Sequence, residues 1–275
     1  MSVEMTQGKS MTAEQVGEYF DDRSWLFSIN GFNLHIGYFD DVDPDTDPKE
    51  RHTDVLIEAV GLQAGQRLLD VGCGFGRPAI RFVQRTDADV LGINVSEEQI
   101  RTANRLAAEA GVGDRAKFEV ADANRLPYPD GSFDAVWAVE VLMYLPDRLT
   151  ALKEIHRVLA PGGTFVLSDY TELLDLTDEQ REALAEGFTV DSLPTSEQYD
   201  DLLSAAGFTS VRSEDATPHL HKSAARIPQI LADNYDLIAE KGGREFAEEF
   251  RAMLSKVAVL ERDYMGYVIK VLRKK

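Results

Sequence analysis

From residue 66 onward, short apolar runs alternate with longer segments in which apolar residues recur at helical spacing. Short runs bounded by turn formers are typical of strands buried on both faces, and the 3.6-residue period is typical of amphipathic helices. Two of the predicted helices open with a side-chain cap, Ser96 before Gln99 and Thr195 before Gln198. The pattern predicts strands at residues 67–71, 89–94, 117–121, 133–139, 163–169, 208–213 and 264–272, and helices at residues 77–86, 96–111, 147–159, 177–187 and 195–206.

Strands that alternate with helices in this way predict a parallel sheet covered by helices on both faces, with right-handed crossovers. We therefore expect an α/β fold with a Rossmann-like, seven-stranded, mostly parallel sheet. The final strand should run antiparallel between its neighbours. Residues 222–260 have a helical pattern, so they should contribute to a mostly helical lid.

The N-terminal region has its own helical pattern. Thr12 and Gln15 form a capping box, and a second helix is predicted at roughly residues 49–60. Much apolar surface lies close to the chain end, on Tyr19, Phe20, Trp25, Leu26 and Phe27. We expect the first helix either to close over the site of its own chain or to dock on a second subunit of a homo-oligomer.

Charge and cysteine content narrow the function. The formal net charge is −19 at pH 7, which argues against nucleic acid because phosphate backbones repel such a surface. Cys73 is the only cysteine, so no internal disulfide forms, and one cysteine with five histidines gives no recognisable metal site. Residues 1–10 lack the apolar core of a signal peptide, and no window is apolar enough for a membrane span. We expect a cytoplasmic protein with no metal and no membrane partner.

The strongest motif is the glycine loop Leu68-Leu69-Asp70-Val71-Gly72-Cys73-Gly74-Phe75-Gly76, which ends the first strand and opens a helix. Ligands bind at that edge of open α/β sheets. The spacing is G-x-G-x-G, with Arg77 where a dinucleotide site needs its third glycine, and the lysine of a P-loop is absent. The sequence therefore disfavours both a dinucleotide-binding site and a P-loop.

This run resembles motif I of class I methyltransferases that use S-adenosylmethionine (SAM). Four further segments resemble the later motifs of that family in order, and they are 92–96, 121–123, 132–136 and 159–163. Upstream, Asn33-Leu34-His35-Ile36-Gly37-Tyr38 is similar to the N-L-H-x-G-Y-W stretch of sugar O-methyltransferases. Over roughly residues 15–272 the chain resembles rebeccamycin-type sugar O-methyltransferases, within the broader group of sterol and ubiquinone C-methyltransferases.

The resemblance implies SAM as cofactor. Together with the pattern of apolar positions, it divides the chain into five stretches. These are a disordered tail (1–11), an N-terminal helical cover (12–60), a SAM-binding core (61–170), a lid with the remaining core elements (171–262) and the final strand (263–275).

The resemblance also implies roles at the methionyl end of SAM. The backbone of Gly72, Cys73 and Gly74 approaches the methionyl group, and Val139 and Glu140 lie beside it. For Asp70 two roles remain open, attraction of the ammonium group and a cap for the glycine turn.

The ribose and adenine positions follow in the same way. The ribose position carries Asn94 where the family usually has an acid, with Val95 beside it and Gln99 one turn into the next helix. Asp122 is expected to accept from the adenine amino group, and the Ala123 N–H to face the ring.

Two residues of the N-terminal cover have open assignments. Tyr19 resembles a tyrosine that reaches over SAM, although core packing explains its position equally well. His35 is a cofactor or substrate contact, or a loop cap.

The long lid, rich in Phe, Leu, Tyr and Met, predicts a small, largely apolar natural product as acceptor. Where the similar sugar enzymes carry a histidine base, this chain has Tyr144. A phenol with a pKa near 10 is a poor base at pH 7, but its ring stabilises a cation. This favours C-methylation of an alkene or prenyl group.

O-methylation of a sugar or polyketide hydroxyl is the alternative, with Asp169, His219 or His221 as base. A SAM-binding protein without catalytic activity and a tRNA or protein methyltransferase are more distant alternatives.

Overall fold

The central element is one seven-stranded sheet. The computed structural model describes residues 12–22, 25–26, 29, 33–40 and 46–275. Its strands are β1 (Arg67–Val71), β2 (Asp89–Asn94), β3 (Ala116–Val120), β4 (Phe133–Val139), β5 (Leu159–Glu172), β6 (Phe208–Asp215) and β7 (Met265–Lys274). The order across the sheet is β3-β2-β1-β4-β5-β7-β6. β7 is antiparallel to both β5 and β6 and the other pairings are parallel, which confirms the predicted fold class.

Helices cover both faces of this sheet. They are α1 (Ala13–Asp22), α2 (Pro48–Val60), α3 (Arg77–Arg85), α4 (Glu97–Glu109), α5 (Arg148–Val158), α6 (Asp178–Phe188), α7 (Ser196–Ala205), α8 (Thr217–Ala224), α9 (Ile227–Gly242) and α10 (Arg244–Asp263), with a 3-10 turn at Leu142–Tyr144. The Ser96 hydroxyl accepts the Gln99 N–H at 3.0 Å, as the capping pattern predicts. Thr195 and Gln198 form the predicted capping box. The predicted disordered tail lies outside the described residues, as does Phe27.

Two apolar cores follow from the alternation of side chains along the strands. Trp137 packs edge-to-face on Phe82 in one core, with ring centroids 5.5 Å apart. Val136 and Phe165 belong to the other core. Because helices cover both cores, the central strands are apolar on both faces. The sheet is thereby a rigid platform whose carboxyl edge faces the N-terminal cover and the lid.

Several element boundaries differ from the prediction. β5 extends to Glu172 and β6 to Asp215, because both pair with β7 over those residues. The predicted helical stretch consists of the three helices α8, α9 and α10, and it begins at Thr217 instead of residue 222. Pro228 lies in the first turn of α9, and Gly243 (φ +89°) separates α9 from α10. Within the described part of the chain, no helix is both long and apolar enough to cross a membrane.

Candidate active site

The glycine loop makes a tight turn between β1 and α3. The N–H groups of Gly72 and Cys73 both donate to the Ile93 carbonyl, each at 2.9 Å. A Cβ on Gly72 would lie 2.3 Å from Val141, so this position has room for glycine alone. A Cβ on Gly74 (φ +52°) would meet nothing within 4 Å, because that residue faces open space.

That open space is a cavity of about 590 Å³, which extends from the glycine loop to the lid helices α9 and α10. Every residue that the resemblance assigned to the cofactor lies on its wall. They are Tyr19, His35, Asp70, Gly72, Cys73, Gly74, Asn94, Val95, Gln99, Asp122, Ala123, Val139 and Glu140.

Polar atoms without partners mark the cofactor end of the cavity. Asp70 Oδ2, Gln99 Nε2 and Asn124 Oδ1 are buried and have no hydrogen-bond partner among the described residues. Such atoms cost free energy unless a ligand satisfies them. Asp70 is 2% exposed, and burial raises its pKa to about 7. A bound ammonium group would give Asp70 Oδ2 a partner.

The ribose position is built from two amides. The Val95 N–H donates to Asn94 Oδ1 at 2.8 Å, which orients the Asn94 amide, and Asn94 Nδ2 donates to Gln99 Oε1. Gln99 Nε2 is left as a donor at the wall of the cavity. This chain therefore has an N–H donor at the position where the family's acid would accept from a ribose hydroxyl.

Helix α1 closes the cofactor end from above. Asp21 accepts from the Ser96 hydroxyl and from the Glu98 N–H. Tyr19 and Phe20 line the cavity, and their rings are 5.4 Å apart. The helix thus covers the site of its own chain, which is one of its two predicted roles, while docking on a second subunit remains a prediction.

His35 begins a chain of buried hydrogen bonds that ends at Glu140. His35 Nδ1 lies 3.1 Å from His52 Nδ1, and His52 Nε2 lies 2.9 Å from the Ser168 hydroxyl. Ser168 donates to the Tyr267 hydroxyl at 3.0 Å, and Tyr267 donates to Glu140 Oε1 at 2.9 Å. Burial keeps the pKa of both histidines below the usual range, so they are neutral at pH 7. This series of hydrogen bonds fixes the position of the Glu140 carboxyl group.

The lid end of the cavity contains charged groups that the sequence reasoning missed. Glu261 on α10 and Lys49 on α2 both line the cavity, and the Tyr170 hydroxyl lies 3.4 Å from Glu261 Oε1. Burial raises the pKa of Glu140 and of Glu261 to about 8. A signal was present, because Glu261 follows Val257 and Leu260 at helical spacing and so occupies a position in an apolar stripe.

Tyr144 and Asp169, two of the predicted catalytic residues, lie in different surroundings. Tyr144 lines the cavity, and burial raises its pKa above the usual range. Asp169 is absent from the described lining, and it accepts the N–H groups of Leu142 and Tyr170, each at 2.9 Å. Its carboxylate thereby holds the start of the 3-10 turn.

The two candidate histidines of α8 lie away from the described lining of the cavity. His219 accepts the Phe39 N–H at 2.9 Å and stacks on Tyr38, with ring centroids 3.7 Å apart. His221 Nε2 is buried without a hydrogen-bond partner among the described residues. The structure therefore brings Tyr144 to the cofactor residues, but not Asp169, His219 or His221.

The chain is similar to known methyltransferases. It matches the family model described as "Methyltransferase domain" over residues 69–167. It is 37% identical over 272 residues to the 27-O-demethylrifamycin SV methyltransferase of Amycolatopsis mediterranei (strain S699), which covers 96% of this chain and 98% of the relative. It is 38% identical over 171 residues to a sterol 24-C-methyltransferase of Gibberella zeae, which covers 60% of this chain and 45% of the relative. The solved structure of the cyclase SpnF superposes with a TM-score of 0.83 at 32% identity and covers 96% of this chain and 97% of SpnF.

Similarity at this level over nearly the whole of both chains includes the glycine loop, the strand ends and the lid together. The unpartnered groups at the loop end of the cavity also suit an ammonium, a ribose and an adenine. The chain is therefore an enzyme that uses SAM as cofactor, and it belongs to the class I SAM-dependent methyltransferases.

Proposed function

We propose that this enzyme methylates a hydroxyl oxygen of a bulky, largely apolar natural product. The observation that supports the proposal is the pair of carboxyl groups, Glu140 and Glu261, in the wall of the cavity. SAM supplies an electrophilic methyl group when it is bound. A hydroxyl acceptor must lose a proton as it is methylated, and a carboxyl group whose pKa is near the working pH is well suited to accept it.

The cofactor residues have separate tasks in this proposal. Asp70 binds the ammonium group, Gln99 the ribose, and Asp122 the adenine amino group. Asp122 Oδ1 accepts from the backbone and side-chain N–H groups of Asn124, at 2.9 and 3.2 Å, and these contacts fix the carboxylate. The remaining residues mainly align the acceptor and exclude water, which is the chief demand of an in-line displacement.

The apolar part of the cavity supports a large acceptor. Lid side chains line it, and they include Ile227, Leu231, Ile238, Phe246, Phe250, Met253 and Leu254. Such a wall binds a ring system or an isoprenoid by area burial, with few polar contacts to restrict its identity. The rifamycin relative is named for the methylation of an oxygen of a large natural product, which agrees with this shape.

C-methylation, which the sequence favoured because Tyr144 is a poor base, is the second candidate. Three aromatic side chains support it, because aromatic rings stabilise a carbocation. Tyr144, Phe20 and Tyr170 all line the cavity. An alkene needs no base before it is methylated, although the carbocation that forms must then lose a proton. A hydroxyl needs a proton acceptor during the transfer itself, and for that reason the carboxyl pair favours oxygen over carbon.

Product analysis distinguishes the two. The enzyme is incubated with SAM labelled with ¹³C in the methyl group and with two acceptors, 27-O-demethylrifamycin SV and a sterol that has both a hydroxyl group and a side-chain alkene. We expect the label in a methoxy group by ¹³C NMR. A label attached to carbon in the sterol would contradict the proposal and support the second candidate.

A further inference from the structure

Two tyrosines that lie side by side on neighbouring strands each contact one of the two carboxyl groups. Tyr170 on β5 and Tyr267 on β7 are register partners, and their ring centroids are 5.2 Å apart. The Tyr267 hydroxyl donates to Glu140 at 2.9 Å, whereas the Tyr170 hydroxyl lies 3.4 Å from Glu261. The tyrosine pair therefore places two carboxyl groups from distant parts of the chain at the same end of the cavity.

The two carboxyl groups differ in how firmly they are held. Glu140 Oε1 accepts from Tyr267 and from the Ile36 N–H at 2.9 Å, and its backbone is in the left-handed region at φ +53°. Its position is thus fixed from three sides. Glu261 is 6% exposed, and its contact with Tyr170 is at the limit of hydrogen bonding. Glu261 is therefore the less firmly held of the two carboxyl groups that line the cavity.

The surroundings of Glu261 set its charge. The titratable groups that face it are Glu140, which opposes its ionisation, and Tyr170 and Lys49, which favour it. Burial has the largest effect and raises its pKa to about 8. The carboxyl group is thus largely protonated at pH 7 until a further positive charge enters the cavity.

We propose that Glu261 accepts the proton of the acceptor hydroxyl, and that the positive charge of bound SAM ionises it beforehand. This assignment rests on the proposed function. The acceptor oxygen forms a bond to the methyl carbon while the carbon–sulfur bond breaks, and its electron pair remains on sulfur to give S-adenosylhomocysteine (SAH). The hydroxyl proton moves to Glu261, which returns it to solvent after the product has left.

The ionisation step is measurable without any acceptor. SAM and SAH share their amino acid, ribose and adenine groups, but only SAM has a charged sulfur. Each ligand is titrated into the enzyme at pH 8 by isothermal calorimetry in phosphate and in Tris buffer, and the two heats give the protons released per ligand. A carboxyl group with a pKa of about 8 is half protonated there, so full ionisation of Glu261 releases about half a proton more with SAM than with SAH.

Three variants identify the carboxyl group that releases the additional protons. Glu261→Gln has the same shape and should lose its share of the excess while it still binds SAM. Glu249→Gln is the matched control, because Glu249 is an exposed residue of the same helix that also lines the cavity, and it should behave as the wild type. Glu140→Gln measures the share of the second carboxyl group.

The assignment is overturned if the wild type releases equal numbers of protons with SAM and SAH. It is also overturned if the excess persists in Glu261→Gln or is lost entirely in Glu140→Gln. The wild-type comparison remains decisive if a variant fails to fold. None of these outcomes depends on where the methyl label appears, so a failure here is separate from a failure of O-methylation.

Discussion

Replacing Asp70 with asparagine should stabilise the protein and weaken its binding of SAM. Asp70 is 2% exposed, and burial raises its pKa from 3.8 to about 7. The folded state therefore binds the proton of the Asp70 carboxyl group more tightly than the unfolded state does. As a consequence, the free energy of unfolding of the wild type falls as the pH rises from about 4 to about 7. Each pKa unit corresponds to about 1.4 kcal/mol, so the loss at pH 8 is at most about 4 kcal/mol. The asparagine side chain carries no charge, so the Asp70→Asn variant avoids this loss.

The same substitution, Asp70→Asn, should weaken the binding of SAM. A charged hydrogen bond to the ammonium group contributes about 1.5–3 kcal/mol, so the affinity for SAM should fall roughly ten- to a hundredfold. Urea unfolding of the ligand-free protein at pH 5 and pH 8, with calorimetric titration of SAM, measures both quantities. Asp89→Asn, at an exposed position on β2, is the control and should change neither. A variant that is less stable than the wild type at pH 8, or that binds SAM with unchanged affinity, would refute the reasoning.

Three further substitutions test other parts of the site. Gly74→Val places a side chain in the cavity at a backbone φ of +52°, so SAM binding should be lost while the fold is retained; calorimetric affinity within twofold of the wild type would contradict this. Asp122→Ala should lower SAM affinity by roughly one to two orders of magnitude, with a small loss of thermal stability because Asn124 loses its acceptor, and an unchanged dissociation constant would remove the adenine assignment. Tyr144→Phe keeps the ring and should retain activity within about tenfold in a SAH-release assay, because a phenol whose pKa is raised by burial is a poor base. A loss beyond about a thousandfold with intact SAM binding would mean that the hydroxyl takes part in proton transfer.

Much of the fold could be predicted because local pattern and local chemistry agree. β1, β2 and β4 have the predicted bounds, since each is a short apolar run between turn formers. The ends of β5 and β6 could not be predicted, because they depend on pairing with β7. Thr171 and Asp215 are extended only because Gly266 and Val268 lie opposite them. Sequence periodicity carries no information about such distant partners.

The cofactor end and the lid end of the site also differ in whether local sequence could predict them. Most of the predicted cofactor residues follow strand ends, and all of them line the cavity. Glu261 reaches the cavity from a lid helix, and its partner Tyr170 lies 91 positions away in sequence. Asp169 was a reasonable candidate base from its strand-end position. Only the structure shows that its oxygens accept backbone N–H groups of Leu142 and Tyr170.

The division between platform and lid has a chemical consequence. The residues proposed to hold SAM lie mostly at the sheet edge, whereas Glu261, Lys49 and the apolar wall belong to the helices above it. Glu140 lies at the junction, fixed to the platform through Tyr267 and to the N-terminal cover through the Ile36 N–H. If the proton acceptor is on the lid, a change in the lid alters the choice of acceptor and the capacity to deprotonate it together. Related chains could then differ in the atom they methylate while the glycine loop and the strand ends stay the same. Loss of Glu261 would remove the proposed proton acceptor for a hydroxyl and would leave a cavity that still presents aromatic rings to a carbocation.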